Sequence, residues 1–500
     1  MMDADTMVLP RIGPAEAGVE DPWGEDRPAR PRRAAARVTA GPARWRIAAW
    51  LLPALLTGGL GGAGLGTPGL RTEELATWRA ATSPWRDAWG GDPALAPYYL
   101  LMRGWAALFG ASDLALRVPS LLAMIAAAAL VGALAARMFA PGTGVLAGAL
   151  LAVLPSSTRY AQEAQPYAAA LFAAVLATWL LLPVLQRPTA RRLTAYAGVV
   201  LLLGLCQAGA VLLLAGHGWV VLAFRRRTAG RWLAAATPGV LGVAALLWSG
   251  ARDGGLPPPG VRVDPGVLAT TPREVFGVAA LGAVLAVLAL FSLPLRYAAA
   301  ICTAWALVPA LGLLLVARVV PVWSPAGLLF TLPAWAVLAA VALARLRARG
   351  AVVGLAVIAL VGAPAQVAAR GPDGHGQDPR RVAAIVGGLG RPGDGVLYGD
   401  AAARTLVARY VPADRRPVDV FAARSVDVFA TRPGPDCAGC GVVPRRLWLI
   451  QPGHPRGPWL PGEGAGAAAR ALRAGYRPAQ VWRPAGFTVV LLTDQRRTSA

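Results

Sequence analysis

The feature that most constrains this chain is a series of long apolar runs, which recur between residues 45 and 368. Runs of about 18 or more apolar residues are long enough to cross a lipid bilayer as α-helices. Hydrophobic residues make up 56% of the 500 residues, which exceeds the share that a soluble domain carries. The sequence therefore predicts a polytopic α-helical membrane protein whose first partner is the lipid bilayer.

We predict about eleven transmembrane helices from these runs. The predicted spans are residues 45–66, 118–139, 144–160, 167–185, 193–206, 208–224, 232–248, 275–291, 298–316, 327–343 and 351–368. Together they predict a membrane domain over residues 45–369, with one long outer loop, residues 67–117, after the first span.

The charged residues between the runs predict how the chain is oriented. The formal net charge is +23, and arginines cluster in alternate short loops, for example at Arg225, Arg226 and Arg227. Positive residues concentrate in cytoplasmic loops, so we predict a cytoplasmic N-terminus and, with an odd number of spans, an extracytoplasmic C-terminal part. This distribution explains the charge without a nucleic acid partner. Residues 1–44, rich in Pro, Ala and Arg, predict a disordered cytoplasmic tail.

The segment after the last span differs in character. Residues 370–500 contain three strand-like runs, GVLYGD, RRLWLIQP and FTVVLLTD, separated by helix-like residues 381–389 and 401–410. We predict a small extracytoplasmic α/β domain. Cys437 and Cys440 form a single C-x-x-C in this segment. Without a second pair, a local disulfide is favoured over a zinc site.

Residues that can carry chemistry concentrate in the first long loop, residues 67–117. Glu73, Glu74 and Asp92 lie there among several tryptophans and arginines, between two predicted spans. Ionisable groups gathered at the membrane edge indicate a site for a substrate presented at the membrane surface. The alternative is a solvated loop whose tryptophans form an interfacial belt.

Four short motifs follow one another across this region. A Glu-Glu pair stands just after the first span, and Asp92 opens D-x-x-x-x-x-Y-Y-L-L-M-x-x-W-x-x-L-F-G. The second span begins with A-L-R-V-P-S, and the third is followed by R-Y-A-Q-E-A-Q-P-Y. In these motifs the chain resembles the membrane glycosyltransferases of family 39 type, which have the GT-C fold, particularly actinobacterial proteins labelled mannosyltransferase. It is similar, more distantly, to protein O-mannosyltransferases and to the aminoarabinose transferase of lipid A.

The resemblance implies a GT-C-like fold and a function. Such enzymes move a sugar, here mannose, from a polyprenyl-phosphate donor to a glycan, protein or lipid acceptor at the outer face of the bacterial plasma membrane, as part of building the cell envelope. The matched positions imply catalytic roles for Glu73, Glu74 and Asp92. They imply substrate-binding roles for Arg117, Arg159, Glu163, Tyr98, Tyr99, Tyr167 and Arg103.

The residue types suit transfer of a sugar with inversion at the anomeric carbon. One carboxylate acts as general base on the acceptor hydroxyl, with Glu73 or Glu74 as first candidate and Asp92 as second. A phosphate leaving group needs no general acid once its charge is neutralised, and arginine suits that role. Arg117 and Arg159 are the candidates; otherwise they are helix-end arginines that reach the membrane surface. The sequence requires no cofactor and shows no metal-ligand spacing, and it leaves a divalent metal open.

Two of the matched positions depart from the family pattern. Arg103 stands where relatives usually carry His, and Gln165 replaces the Arg of E-A-R-P-Y. These departures keep open an alternative, a GT-C-fold binding or scaffold protein of the cell envelope that has lost its activity. A transporter ranks third, because it would carry ionisable residues inside its spans, whereas these spans are nearly free of charge.

Overall fold

The apolar runs fold into helices, and each predicted span overlaps at least one of them. A computed structural model describes residues 43–84, 93–252, 263–292, 297–319, 322–419, 444–455 and 475–494; of the predicted tail, residues 1–42 lie outside these ranges. The helices before residue 370 are α1 (Ala43–Gly62), α2 (Thr72–Thr82), α3 (Ala96–Phe109), α4 (Asp113–Met138), α5 (Pro141–Val153), α6 (Pro155–Ala161), α7 (Tyr167–Gln186), α8 (Ala190–Cys206), α9 (Leu213–Phe224), α10 (Ala229–Arg252), α11 (Pro265–Phe276), α12 (Ala279–Leu290), α13 (Tyr297–Ala317), α14 (Leu332–Leu343) and α15 (Ala348–Ala369). The 3₁₀ turns Ala208–Leu212 and Pro325–Thr331 lead into α9 and α14.

Fewer helices meet the length and hydropathy of a complete span than we predicted. Six of the described helices do so, and the number rises to eight if each of two bent pairs is one span. The helix α8 has 17 residues, about 25 Å of helix, and the apolar helix Ala208–Phe224 is also short. The helix α1 begins with Arg44 and Arg46, which lower its hydropathy. The chain is a multi-pass membrane protein, and six to eight helices of its described part are long and apolar enough, by length and composition, to be complete spans.

Both bent pairs break at residues that disfavour a continuous helix. The axis turns by 65° between α5 and α6, where Pro155 begins α6, and by 81° between α11 and α12. Gly277, in the second break, has a φ of +83°, and a Cβ there would lie 2.6 Å from the Cβ of Pro155. Only glycine fits this contact, and the two breaks therefore meet.

Small residues bring α4 close to its neighbours. A Cβ on Gly132 of α4 would lie 1.7 Å from the carbonyl oxygen of Ala49 in α1. A Cβ on Gly144 of α5 would lie 2.4 Å from the carbonyl oxygen of Gly132. Helix association in a bilayer depends on such close backbone approach, because lipid is as apolar as the side chains. This packing holds α4, which carries Arg117, against α1 and α5.

A buried polar network joins α7, α8, α9 and α10. The Nε1 of Trp232 donates to the Tyr196 hydroxyl at 3.1 Å, and this hydroxyl donates to His217 Nδ1 at 2.9 Å. The other ring nitrogen of His217 donates to the Thr178 hydroxyl at 3.1 Å, which donates in turn to the carbonyl of Ala174. Every donor in this sequence of bonds finds an acceptor, so His217 is a hydrogen-bonded core residue, as buried polar groups require.

The C-terminal segment folds as the predicted α/β domain. Its elements are α16 (Pro379–Leu389), β1 (Gly395–Tyr398), α17 (Ala401–Tyr410), β2 (Val418–Asp419), β3 (Arg446–Pro452), β4 (Tyr476–Trp482) and β5 (Phe487–Asp494). The strand order is β2-β1-β3-β5-β4; β1 is parallel to β2 and β3, and β5 is antiparallel to β3 and β4. The three predicted strands, now β1, β3 and β5, and both predicted helices are confirmed. Cys437 and Cys440 lie outside the described residues.

The C-terminal domain packs on the first long loop. Leu70 and Leu75 from the loop belong to the same buried apolar cluster as Trp448 and Phe487 of the domain. The side-chain oxygen of Gln377, just before α16, accepts from the backbone N–H and the hydroxyl of Thr72 at 2.8 and 3.1 Å. The loop therefore has the domain as its packing partner and is not a solvated connector.

Asp113, the first residue of α4, forms ion pairs with the C-terminal domain. Its carboxylate, 8% exposed, accepts from Arg380 Nη2 at 2.7 Å and from Arg409 Nη2 at 2.8 Å. It also accepts from the Tyr410 hydroxyl at 2.7 Å, which itself accepts from the backbone N–H of Leu70 at 2.8 Å. One carboxylate thus accepts from three donors of the domain, two of which are charged.

Replacement of Asp113 by Ala is expected to loosen the C-terminal domain from the loop. The change removes the shared acceptor of two arginines and a tyrosine, and a hydrogen bond to a charged group contributes about 1.5–3 kcal/mol before solvent screening of the exposed Arg380. Faster hydrogen exchange in α16 and α17 would measure the effect. Asp414→Ala is the matched control, because that side chain is 78% exposed. Unchanged exchange in Asp113→Ala would contradict the role of this carboxylate.

Candidate active site

The ion pair between Arg117 and Glu74 lies fully buried beneath the first loop, with side chains 0% and 1% exposed. The Nε and Nη2 of Arg117 donate to the two carboxylate oxygens of Glu74 at 2.9 and 2.8 Å. The remaining N–H groups of the guanidinium donate to the backbone carbonyls of Leu65, Pro68 and Gly69. Through these three carbonyls, the segment that follows the first span wraps around the Arg117 guanidinium.

Glu74 is equally saturated. Its Oε1 also accepts from the backbone N–H of Ala164 at 2.8 Å, and its Oε2 accepts from the backbone N–H of Arg71 at 3.0 Å. Arg117 therefore has no N–H group left for a phosphate, and each oxygen of Glu74 already has two donors. This geometry gives both residues a structural role in place of the predicted roles of phosphate ligand and general base.

A second group of charges runs from the surface into the protein. The Nη2 of Arg71 donates to Glu73 Oε1 at 3.3 Å, and its Nη1 donates to Glu163 Oε1 at 3.0 Å. The Nε of Arg159 donates to the same oxygen of Glu163 at 2.9 Å. We call Glu73, Arg71, Glu163 and Arg159 the ion-pair chain. It connects the start of α2 to the turn between α6 and α7.

The two carboxylates of the ion-pair chain differ in their surroundings. The Glu73 side chain is 57% exposed and the Glu163 side chain 3%. Burial raises the pKa of Glu163, but Arg159 and Arg71 lower it more, so the pKa of this carboxyl lies below its usual value. Glu163 is therefore an ionised anchor for two arginines, and Glu73 is the carboxylate that solvent can reach.

Arg159 keeps part of its guanidinium available. Its Nε donates to Glu163, whereas Nη1 and Nη2 form no hydrogen bond with the part of the chain that the structure describes. The side chain is 35% exposed, and its guanidinium carbon lies 5.5 Å from the centre of the Tyr160 ring. Glu274 of α11 is near enough to act electrostatically on Arg159. Two N–H-bearing nitrogens thus remain for an anion.

The predicted tyrosines take different positions. Tyr98 and Tyr99 are 5% and 6% exposed and pack in a small apolar cluster with Leu116, so in this structure they are core residues. Tyr167 is half-buried at the start of α7, and its ring meets the Tyr160 ring edge to face at 5.5 Å. Of the three, Tyr167 is the one at the ion-pair chain, with Glu73 acting on it electrostatically.

Two other predicted site residues are Arg103, which lies within α3, and Asp92. Arg103 is half-buried, and its Nη1 donates to the backbone carbonyl of Ser83 at the end of α2. This contact ties α3 to α2 and directs the guanidinium to backbone. Asp92 lies outside the described residues, and its role as second candidate base stays a prediction.

Three further residues belong to this region although no motif points to them. Arg71 stands two residues before Glu73, and its place just before a helix is a weak local signal. Glu274 directly precedes the predicted span 275–291, where a single acidic residue stands out from the apolar sequence. His375 lies in a glycine-rich turn after α15 and acts electrostatically on Glu163, and nothing in its local sequence indicates this.

The charged groups pair with one another and do not gather as metal ligands. Among the described ranges, no three His, Cys, Asp or Glu side chains come together in a way that could hold a metal ion. Glu73 and Glu163 each face an arginine. A requirement for a divalent metal stays a prediction.

Comparisons with known proteins identify this architecture. Residues 93–248, less than half of the chain, match the family described as dolichyl-phosphate-mannose-protein mannosyltransferase. The structure is similar to the crystal structure of ArnT from Cupriavidus metallidurans bound to undecaprenyl phosphate, with a TM-score of 0.55 and 13% identity over 90% of this chain and 98% of that chain. The apo crystal structure of the same protein is similar with a TM-score of 0.55 and 14% identity, at the same coverage. No curated protein matches the sequence.

The chain has the GT-C fold of ArnT. The predicted fold class, a polytopic helical membrane protein with a small C-terminal α/β domain, is confirmed. At 13% identity, the likeness to ArnT shows the fold alone. The segment that matches the family contains Arg159 and Glu163, whereas Glu73 precedes it.

Replacement of Glu74 by Gln is expected to destabilise the protein. The change leaves the buried guanidinium of Arg117 without its counter-charge, and breaking a buried ion pair costs about 3–5 kcal/mol. Thermal unfolding in detergent should show a lower Tm for Glu74→Gln. Glu73→Gln, one residue away and exposed, should keep a Tm near that of the wild type. An unchanged Tm in Glu74→Gln would contradict its structural role.

The stability of the ion-pair chain is expected to depend on pH through Glu163. Because the folded pKa is lowered, the contribution of Glu163 is fully present above the usual carboxyl pKa and is lost as the pH falls through the lowered value. The Tm difference between wild type and Glu163→Gln should therefore be large at neutral pH and shrink in acid. A difference that stays constant over this range would show that the charge on Glu163 contributes nothing.

Proposed function

We propose that this chain is a membrane glycosyltransferase that moves a sugar from a polyprenyl-phosphate donor to an acceptor hydroxyl. The proposal is carried by one observation about Arg159. Its Nη1 and Nη2 form no hydrogen bond within the described structure, while its Nε donates to Glu163 in the same ion-pair chain as the exposed Glu73. Support comes from the family match over residues 93–248 and from the likeness to ArnT, which was crystallised with undecaprenyl phosphate.

Arg159 is assigned to the donor phosphate. A guanidinium with two free Nη groups meets two phosphate oxygens at once, which gives both charge and orientation. Glu163 fixes the Nε side of the guanidinium, so the free edge is oriented before the donor binds. The position of Arg159 in the last turn of α6 suits a donor whose lipid tail lies in the bilayer while its phosphate reaches the protein edge.

Glu73 is assigned as the general base. It takes the proton of the acceptor hydroxyl as the acceptor oxygen bonds to the anomeric carbon from the face opposite the phosphate. The bond from that carbon to the phosphate oxygen breaks, and polyprenyl phosphate leaves with the electron pair. Arg159 stabilises the charge that develops on the leaving phosphate, and the product has inverted configuration. Asp92 remains the second candidate base.

Mannose is the sugar we propose, on the strength of the family match. The acceptor is a glycan, protein or lipid at the outer face of a bacterial plasma membrane, with the N-terminus cytoplasmic as the arginine distribution predicts. The C-terminal domain would then lie outside the membrane. Because it packs on the first loop through Asp113, it is placed to contact an acceptor.

A transporter is the second candidate, because one observation favours it. Two bent spans meet at Gly277, and paired broken helices are typical of transporters. The ion-pair chain, however, lies at the ends of helices, and His217 inside the bundle is fully hydrogen-bonded. Formation of a new glycosidic bond separates the candidates, because neither a transporter nor an inactive scaffold protein makes one.

Replacement of Glu73 by Gln is expected to slow transfer by about 10²- to 10⁴-fold, the usual loss when a general base is removed. Purified protein would be incubated with labelled polyprenyl-phosphomannose and membrane acceptors, and labelled product would be measured. Asp414→Asn, at an exposed carboxylate of the C-terminal domain, is the matched control and should keep the wild-type rate.

Wild-type rates in Glu73→Gln would remove Glu73 from the mechanism. Absence of product from the wild-type protein with every polyprenyl-phospho-sugar offered would contradict the enzyme and favour the scaffold protein. Transfer of a sugar other than mannose would correct the sugar and leave the mechanism intact.

A further inference from the structure

His375 is a buried histidine whose ring nitrogens have no partner. The residue is 3% exposed, and neither Nδ1 nor Nε2 forms a hydrogen bond in the described structure. The Nε of Arg71 is buried and unpartnered in the same sense. Arg71 donates to Glu163 at 3.0 Å, and Glu163 interacts electrostatically with His375, so both residues belong to the surroundings of Glu163. Unsatisfied buried polar atoms are rare in folded proteins, and each calls for an explanation.

The position of His375 is fixed by contacts on both sides. Arg370 donates through Nη2 to the carbonyl of Leu60 at 3.0 Å, which ties the start of the turn to α1. Gln377 accepts from the backbone and hydroxyl of Thr72, which ties its end to α2. Gly376, with a φ of +81°, makes the bend between them. The turn that carries His375 is therefore tied to the start of α2, directly after Arg71.

The chemistry of the imidazole selects its partner. Burial lowers the pKa of His375 to about 4, so the ring is neutral and offers one N–H donor and one acceptor nitrogen. A phosphate oxygen can only accept, so it would leave the acceptor nitrogen of the ring without a donor. A hydroxyl group both donates and accepts. It can donate to the acceptor nitrogen of the ring while it accepts from the Nε–H of Arg71, a pairing that a phosphate oxygen cannot make.

We infer that His375 and the Nε of Arg71 form a subsite for a hydroxyl group of the donor sugar. The inference rests on the proposed function, and it separates two tasks within the site. Arg159 binds the phosphate, which every polyprenyl-phosphate donor shares, and His375 binds a hydroxyl group of the sugar. His375 is thus a specificity-determining residue that orients the sugar.

Donor binding to the full-length protein in detergent tests this division. The probes are polyprenyl phosphate and, at the same chain length, a panel of polyprenyl-phospho-hexoses and polyprenyl-phospho-pentoses. His375→Phe removes donor and acceptor, and it should weaken binding of the preferred sugar-bearing probe by about 5- to 100-fold, the usual effect of losing buried hydrogen bonds. It should leave binding of bare polyprenyl phosphate unchanged. Arg159→Gln should weaken both kinds of probe.

Two further variants distinguish loss of the hydroxyl subsite from loss of folding. His375→Asn keeps one donor and one acceptor and should recover part of the affinity for the sugar-bearing probe. His454→Phe makes the same substitution at an exposed histidine of the C-terminal domain and should bind every probe like the wild type. A His375→Phe protein that still binds bare polyprenyl phosphate is folded at the site.

Each other outcome has a distinct meaning. If His375→Phe binds the sugar-bearing probe as tightly as the wild type, the partner of the imidazole is an internal water and the inference is overturned. It is also overturned if the wild type binds no sugar-bearing probe more tightly than bare polyprenyl phosphate. If the wild type binds no polyprenyl phosphate at all, the proposed function itself fails.

Discussion

The arrangement of this site depends on one buried ion pair, that of Arg117 with Glu74. The two residues are 43 positions apart and come from α4 and α2. Because every N–H of the guanidinium and both carboxylate oxygens have partners, the pair can exist without water. It joins the end of α1, the first turn of α2, the start of α4 and the backbone at Ala164. Together with the bond from the Thr77 hydroxyl to the carbonyl of Ala164, it positions the start of α2 against the turn between α6 and α7, where the ion-pair chain forms.

Residues of the same type consequently do different work in this protein. Glu73 and Glu74 are adjacent, yet the first turn of α2 directs one carboxylate to solvent and the other to a buried guanidinium, with 57% and 1% of their side chains exposed. Arg117 and Arg159 both stand in motifs at helix ends. One donates every N–H group to the protein, and the other keeps two nitrogens for a ligand. Access and hydrogen-bond saturation, more than residue type, decide which of them can act on a substrate.

The large features of the fold were predictable because they depend on local composition. Apolar runs predict the membrane helices, and short β-rich runs predict β1, β3 and β5. The number of helices long enough to be complete spans was not predictable from the sequence. It depends on the sharp bend at Gly277 and the short length of α8, which are set by how the helices pack. In the site, motifs point to Arg159 and Glu163 as residues, but the bond from Arg71 to Glu163 spans 92 positions and has no local pattern. His375 also acts on Glu163, although in sequence it follows the whole membrane domain. Only the tertiary structure shows this relation.

A cryo-electron microscopy structure of the protein with polyprenyl phosphate bound tests the central claim most directly. The account predicts phosphate oxygens within hydrogen-bond distance of Arg159 Nη1 and Nη2, with the pair of Arg117 and Glu74 unchanged beneath the loop. A phosphate bound away from the ion-pair chain, or an Arg117 released from Glu74 to hold it, would contradict the claim.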